Sequence, residues 1–143
     1  MTSADVADAA PSIRRRLASM LYEALLMFGV AFLATWIFQF AAGTFLIDGW
    51  RRHLLQLFVL AVFAAYFLWC WLRGGQTLAM KTWRIRLVAK NGHARISPQA
   101  ALLRFLYALL LVPTAIGLFW AMVDRDRQFL HDRLAGSLLL PVS

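Results

Sequence analysis

The sequence predicts an all-α membrane protein of three apolar helices with a small cytoplasmic β-hairpin, and three observations carry that reading. The chain is 62% hydrophobic and only 15% charged, where soluble domains average about 45–50% and about 25%. Three apolar runs, Leu17 to Ala42, Leu54 to Leu72 and Ala100 to Val123, each approach or exceed the roughly 20 residues that cross a hydrocarbon core as a helix. Between the second and third runs, an alternating segment leads directly into Asn91-Gly92, the strongest two-residue hairpin signal. At 143 residues there is bulk for one membrane domain, residues 13–143. Residues 1–12, rich in Ala, Ser and Asp, read as a flexible polar tail. Three helices scarcely enclose a pathway, so a homo-oligomer is expected.

The first run is too long for the 7–15-residue apolar region of a signal peptide (roughly that range) and holds Glu23, so it is expected to be retained as a span. Seven residues separate Arg16 from Glu23, two turns of helix, which places both on one face with Glu23 about 10 Å deeper. An ionised side chain at the centre of a membrane helix costs about 2.5–3.5 kcal/mol, so such a residue usually has a partner, a proton or a function. In the second run, the single cysteine, Cys70, has no companion ligand and reads as a small packing residue. Gly74-Gly75 lacks the spacing of a phosphate-binding loop and reads as a turn leaving the helix. Trp69, Trp71 and Trp120 read as interfacial anchors. The third run carries Arg104 and Pro113, and proline inside an apolar helix leaves two alternatives open: one kinked span, or two half-helices that dip in and return.

Charge orients these elements. The segment 73–99 holds Arg73, Lys81, Arg84, Arg86, Lys90 and Arg95 with no acid, so by the positive-inside rule it is cytoplasmic, together with the N-terminus and its Arg14-Arg15-Arg16. A single third span would put the tail from Asp124 to Ser143 outside, and a re-entrant pair would return it inside, the cleaner asymmetry. Topogenic charge and attraction to anionic lipid, about 1 kcal/mol per basic residue, account for the net charge of +8. Membrane lipid is therefore the expected partner, and nucleic acid is not.

From Thr82 to Lys90, Trp83, Ile85, Leu87 and Ala89 alternate with Arg84, Arg86 and Lys90, the period of a strand with one apolar face. His93 to Ile96 would return, giving a hairpin over about 82–97. Ser97-Pro98 then reads as a helix start, with serine as N-cap and proline at the first helical position. A two-stranded hairpin is marginal alone, and Ser137 to Val142 would supply a third strand if the tail is cytoplasmic.

Taken in order, Arg16-Leu17-Ala18 with an acid at 23, Gly75-Gln76-Thr77-Leu78 with Lys81, Arg84-Ile85-Arg86-Leu87-Val88 with Gly92, Arg104, Leu130-His131-Asp132 and Ala135-Gly136-Ser137 make a pattern that resembles the RDD family of bacterial membrane proteins over about residues 13–142. The resemblance implies a multi-pass protein of the bacterial plasma membrane. It marks an arginine at the start of the first helix, an aspartate inside it and a second aspartate, which map onto Arg16, Glu23 and Asp132. The sequence departs at Glu23, one methylene longer than the family's aspartate, and at Ala79, where the pattern has glycine. Transport of unidentified ligands and cation/proton exchange are the activities the resemblance implies.

His131 beside Asp132 is a further candidate, since histidine titrates near neutral pH, although adjacent helical residues seldom face each other. The sequence has no nucleophile and base in a polar pocket, no metal-ligand spacing and no phosphate loop, so neither an enzyme, a metal nor a cofactor is expected. Two readings remain: transport of a small cation or unidentified ligand coupled to protons, with Glu23 as the carrier carboxylate, or a non-transporting scaffold or partner-binding subunit in which the charges are structural. A cavity faced by Glu23 favours the first, and a fully paired Glu23 without a cavity favours the second.

Overall fold

The computed structural model describes residues 10–43, 48–90, 95–124 and 128–142, and its first helix begins at a serine cap. The Ser12 side chain accepts a hydrogen bond from the Arg15 N–H at 3.4 Å, satisfying a donor that the helix start would otherwise orphan. Pro11 is already buried, so chain order begins before residue 13, while residues 1–9 of the expected tail lie outside the described residues. Helix α1 runs Ile13–Ala42 and helix α2 runs Trp50–Gly74. Both are long and apolar enough to cross a membrane. Each begins about four residues before its apolar run, at Ile13 rather than Leu17 and at Trp50 rather than Leu54, because hydropathy marks the apolar stretch, whereas the backbone ladder extends through basic residues equally well. Leu21, Leu25, Phe28, Phe32 and Phe40 of α1 are each more than 60% exposed, an apolar face that fits lipid better than water.

Gly75 ends α2 in the left-handed conformation, φ 66°, as a turn leaving the helix requires. Thr77 caps the short helix α3, Leu78–Thr82, and strand β1 follows at Ile85–Ala89. Its partner is the C-terminal strand β2, Ser137–Pro141, antiparallel, with Ile85 opposite Pro141 and Ala89 opposite Ser137. This corrects the expected 82–97 hairpin. Thr82 belongs to α3 and Arg95 and Ile96 form no strand, while the Asn91-Gly92 turn and the first two residues of the expected returning strand lie outside the described residues. Alternation identifies a strand but not its partner. Here the apolar Leu138 and Leu139, both buried, complete a pairing that spans some fifty residues of chain.

Ser97 caps helix α4, Pro98–Leu111, its side chain accepting from the Ala100 N–H at 3.2 Å. The third apolar run is not one helix. It breaks at 112–115 and resumes as α5, Ile116–Val123. Pro113 offers no N–H to the ladder, Thr114 donates its hydroxyl toward the Leu110 and Leu111 carbonyls at 3.3 and 3.0 Å, and Ala115 takes a positive φ of 58°. The run is thus two helices and not one continuous helix. Helix α6, Leu130–Leu134, packs back against α4 and α5 and delivers β2 to β1. The C-terminal strand, the segment after α2 and the start of α1, whose Arg15 donates to the Trp83 and Arg84 carbonyls, therefore share one end of the molecule. The core at that end joins Trp71, Ile85, Leu87, Ala101, Phe105 and Phe129. Trp71, 3% exposed, is thus a core residue and not an interfacial anchor. Trp69 and Trp120 are exposed, with the Arg73 guanidinium 4.1 Å from the Trp69 ring centre.

Candidate functional site

Each candidate is placed by an element whose local sequence explains its position. On α1, Arg16, Ser19 and Met27 form the buried stripe, and Glu23 lies on the same side, one helical turn above Ser19. The Arg16 guanidinium carbon sits 5.9 Å from the Phe129 ring centre, within the field of Asp132. On α4, Arg104 is 5% exposed. Its Nε donates to Asp132 Oδ1 at 2.7 Å, and its guanidinium carbon lies 4.3 Å from the Trp71 ring centre. That geometry combines a charge-assisted hydrogen bond with a cation–π contact.

Asp132 is 1% exposed and occupies the first turn of α6, where a carboxylate also meets the positive end of the helix. The neighbouring His131 stacks on Phe129, ring centres 5.6 Å apart and planes 8° from parallel. Its Nε2 lies 3.6 Å from Asp132 Oδ1, longer than a hydrogen bond, so the pair is not a simple relay dyad. Burial pushes the His131 imidazole below its ordinary pKa; Asp132 opposes that and Arg104 adds to it.

Glu23 accepts a hydrogen bond from the Thr77 hydroxyl, and the same hydroxyl oxygen accepts the Met80 N–H at 3.2 Å. The capping residue of α3 therefore also clamps α1. The Tyr66 hydroxyl, which accepts the Leu78 N–H at 3.3 Å, lies beside the carboxylate, and the charge of Arg104 acts on it as well. The second oxygen, Oε1, is buried without a hydrogen-bond partner among the described residues.

Arg16, Glu23, Arg104 and His131 line a cavity of about 280 Å³, most of whose wall is formed by apolar side chains, among them those of α1, α2 and α4. The model of the RDD family matches residues 10–136. The chain belongs to the RDD family. No curated protein and no solved structure matches it. Family membership and the two long apolar helices fit a membrane protein.

Of the RDD-pattern residues, Arg16 and Glu23 line the cavity, and Asp132 lies behind it, held by Arg104, which lines it. The ion pair of Asp132 goes to Arg104, the hydrogen bond of Glu23 goes to Thr77, and Arg16 meets Asp132 through its field. Sequence reasoning did not single out Arg104, Thr77, Tyr66 or Trp71 as parts of the site. Arg104 carried a usable signal as the sole charged residue of the third apolar run, since an intramembrane charge is a site candidate by default. Thr77 carried only its place in the pattern Gly75-Gln76-Thr77-Leu78 and Tyr66 carried none, because their roles follow from where α3 docks.

The depressed pKa of His131 has a consequence for stability. A group whose folded pKa lies below its unfolded value, about 6.5 for histidine, leaves the unfolded chain binding more protons between the two values. Stability is then complete above about pH 6.5 and declines as pH falls below it. The thermal midpoint in detergent is expected to drop between about pH 7.5 and pH 5.5, and His131→Leu is expected to flatten that dependence. An unchanged slope in the variant would assign it to other groups.

Proposed function

We propose that this RDD protein exchanges a cation for a proton at Glu23. One observation carries the reading: a carboxylate within a long apolar helix lines a cavity while one of its oxygens is buried with no partner among the described residues. A purely structural acid is expected to have its lone pairs satisfied, because an unsatisfied buried acceptor costs about 1–3 kcal/mol or more when charged. The other acid of the site is already neutralised by Arg104, so the free proton- or cation-binding capacity belongs to Glu23. Arg16 and Arg104 set the field in which it titrates.

The protein on this reading is a multi-pass, non-enzymatic component of the bacterial plasma membrane. The N-terminus, the basic segment 73–99 and the C-terminal strand are cytoplasmic, a topology supported by their common end of the fold and by the basic charge there. Helix α4, at 14 residues, is shorter than a span of about 20, so α4 and α5 enter and return. With only two full spans per chain, a homo-oligomer completes the pathway. A second reading, a scaffold without transport, draws on the Arg104–Asp132 bridge, which ties α4 to α6 and looks structural.

Proteoliposomes loaded with a pH dye and given a cation gradient test the proposal. Glu23→Gln, which keeps shape and polarity but cannot ionise, is expected to abolish cation-driven proton flux while leaving the oligomeric state intact, and Glu23→Asp to retain flux. Wild-type protein without flux for any cation tried, alongside a Glu23→Gln form destabilised in detergent, would end the transport reading and leave the scaffold.

A further inference from the structure

We infer that the cavity binds a small apolar organic ammonium ion, an aromatic or aliphatic amine in its protonated form, rather than a bare inorganic cation or an organic anion. The inference rests on the exchange reading for the role of Glu23, and it adds the class of ligand.

Size and wall chemistry set the first limit. The cavity measures about 280 Å³, whereas an engineered apolar cavity of about 150 Å³ holds benzene, so there is room for an aromatic ring with a short chain. Along α1 the cavity reaches from Arg16 to Met27, about 16 Å at the rise of a helix. Its deep end is formed by Met27, Phe63 and Val112. A hydrated sodium or potassium ion would lose water ligands there with no oxygen to replace them, a large desolvation cost. An apolar body loses nothing.

Hydrogen-bonding capacity sets the second limit. At the polar end, Glu23 Oε1 and His131 Nδ1 are buried without partners among the described residues. Nε2 of His131 faces Asp132; if it carries the proton, Nδ1 is an acceptor. Asp132 Oδ2, behind the cavity lining, is a further buried acceptor in the same state, and the Trp71 Nε1–H is a buried donor. The acceptor that titrates at this end is Glu23 Oε1, and the ligand head that complements it offers N–H groups. An ammonium has them and a carboxylate has none.

Charge sets the third. Phe67, Phe105 and Trp71 line the cavity, and aromatic faces attract cations. With Arg104 and Asp132 paired, swapping a proton on Glu23 for a monovalent ammonium leaves the net charge of the site unchanged. In the exchange, the O–H bond of the Glu23 carboxyl breaks, the proton leaves to water, and the ammonium N–H groups donate to the resulting carboxylate.

The test is calorimetric titration of phenethylammonium into the full-length protein in phosphatidylcholine nanodiscs, with phenylacetate and potassium as comparison ligands. Saturable binding of phenethylammonium, with proton release seen as a dependence of the heat on buffer ionisation enthalpy, is expected, with no saturable binding of phenylacetate. Glu23→Gln is expected to weaken binding about ten-fold or more, the equivalent of one charged hydrogen bond. Ala108→Phe, which fills the cavity from α4, is expected to abolish binding while leaving the Glu23 carboxyl in place, so the inference does not depend on the fold of one variant. Equal or tighter binding of phenylacetate, or phenethylammonium binding indifferent to both substitutions, overturns it. Glu23-dependent proton flux driven by potassium without phenethylammonium binding overturns the ligand class and leaves the exchange reading. Phenethylammonium binding at Glu23 without any proton flux upholds the ligand class and removes transport.

Discussion

Arg104→Met is expected to destabilise the protein by about 3–5 kcal/mol, the usual cost of leaving one partner of a buried ion pair unmatched. Asp132 is 1% exposed and already has one oxygen without a partner among the described residues; without the 2.7 Å bond from Arg104 Nε it loses its charge-assisted hydrogen bond and keeps the field of Arg16. It would then acquire a proton or open α6 away from α4. Because α6 delivers β2 to β1, the loss is expected to spread to the sheet and appear as early proteolysis at the C-terminus as well as a lowered denaturation midpoint. The double variant Arg104→Met, Asp132→Leu is expected to recover most of the loss, since replacing both partners by apolar groups is often neutral. If the double variant proves as unstable as the single, the pair does more than neutralise itself, and Arg104 has a second obligatory partner. Unfolding monitored in detergent across the four members of the cycle separates these outcomes.

Gly75→Ala is the second large effect. Gly75 has φ +66°, and a Cβ built there would lie 2.6 Å from the Leu87 carbonyl oxygen, closer than any real contact allows. The Leu87 N–H donates back to the Gly75 carbonyl at 2.7 Å, so neither backbone can withdraw without breaking the link between the end of α2 and β1. The left-handed conformation costs about 1–2 kcal/mol and the overlap about 1–3 kcal/mol, together about 2–5. Gly43→Ala is the control: φ is 67°, yet nothing lies within 4 Å of its added Cβ, so only the conformational cost applies. Similar losses in the two variants would show that the backbone at Gly75 has room to move.

What the sequence determined by itself is everything that depends on neighbours along the chain. The two long helices follow from apolar length and the caps at Ser97 and Gly75 from local hydrogen-bonding and φ preferences, while Pro113 marked an interruption that the sequence left open between a kink and a break. The shared side of Arg16 and Glu23 follows from helical period, and family membership from the ordered pattern matched over residues 10–136. What only the tertiary structure decided is every pairing across distance. The alternation at Ile85–Ala89 announced a strand but could not say that Ser137–Pro141, offered by the sequence only as a conditional third strand, would lie against it. The charged pattern named Arg16, Glu23 and Asp132, yet Asp132 is bonded by Arg104 and Glu23 by Thr77. Periodicity and propensity are properties of a few successive residues, while the partner of a buried charge is whichever group the packed helices bring within about 3 Å, a distance that exists only once α6 has packed against α4.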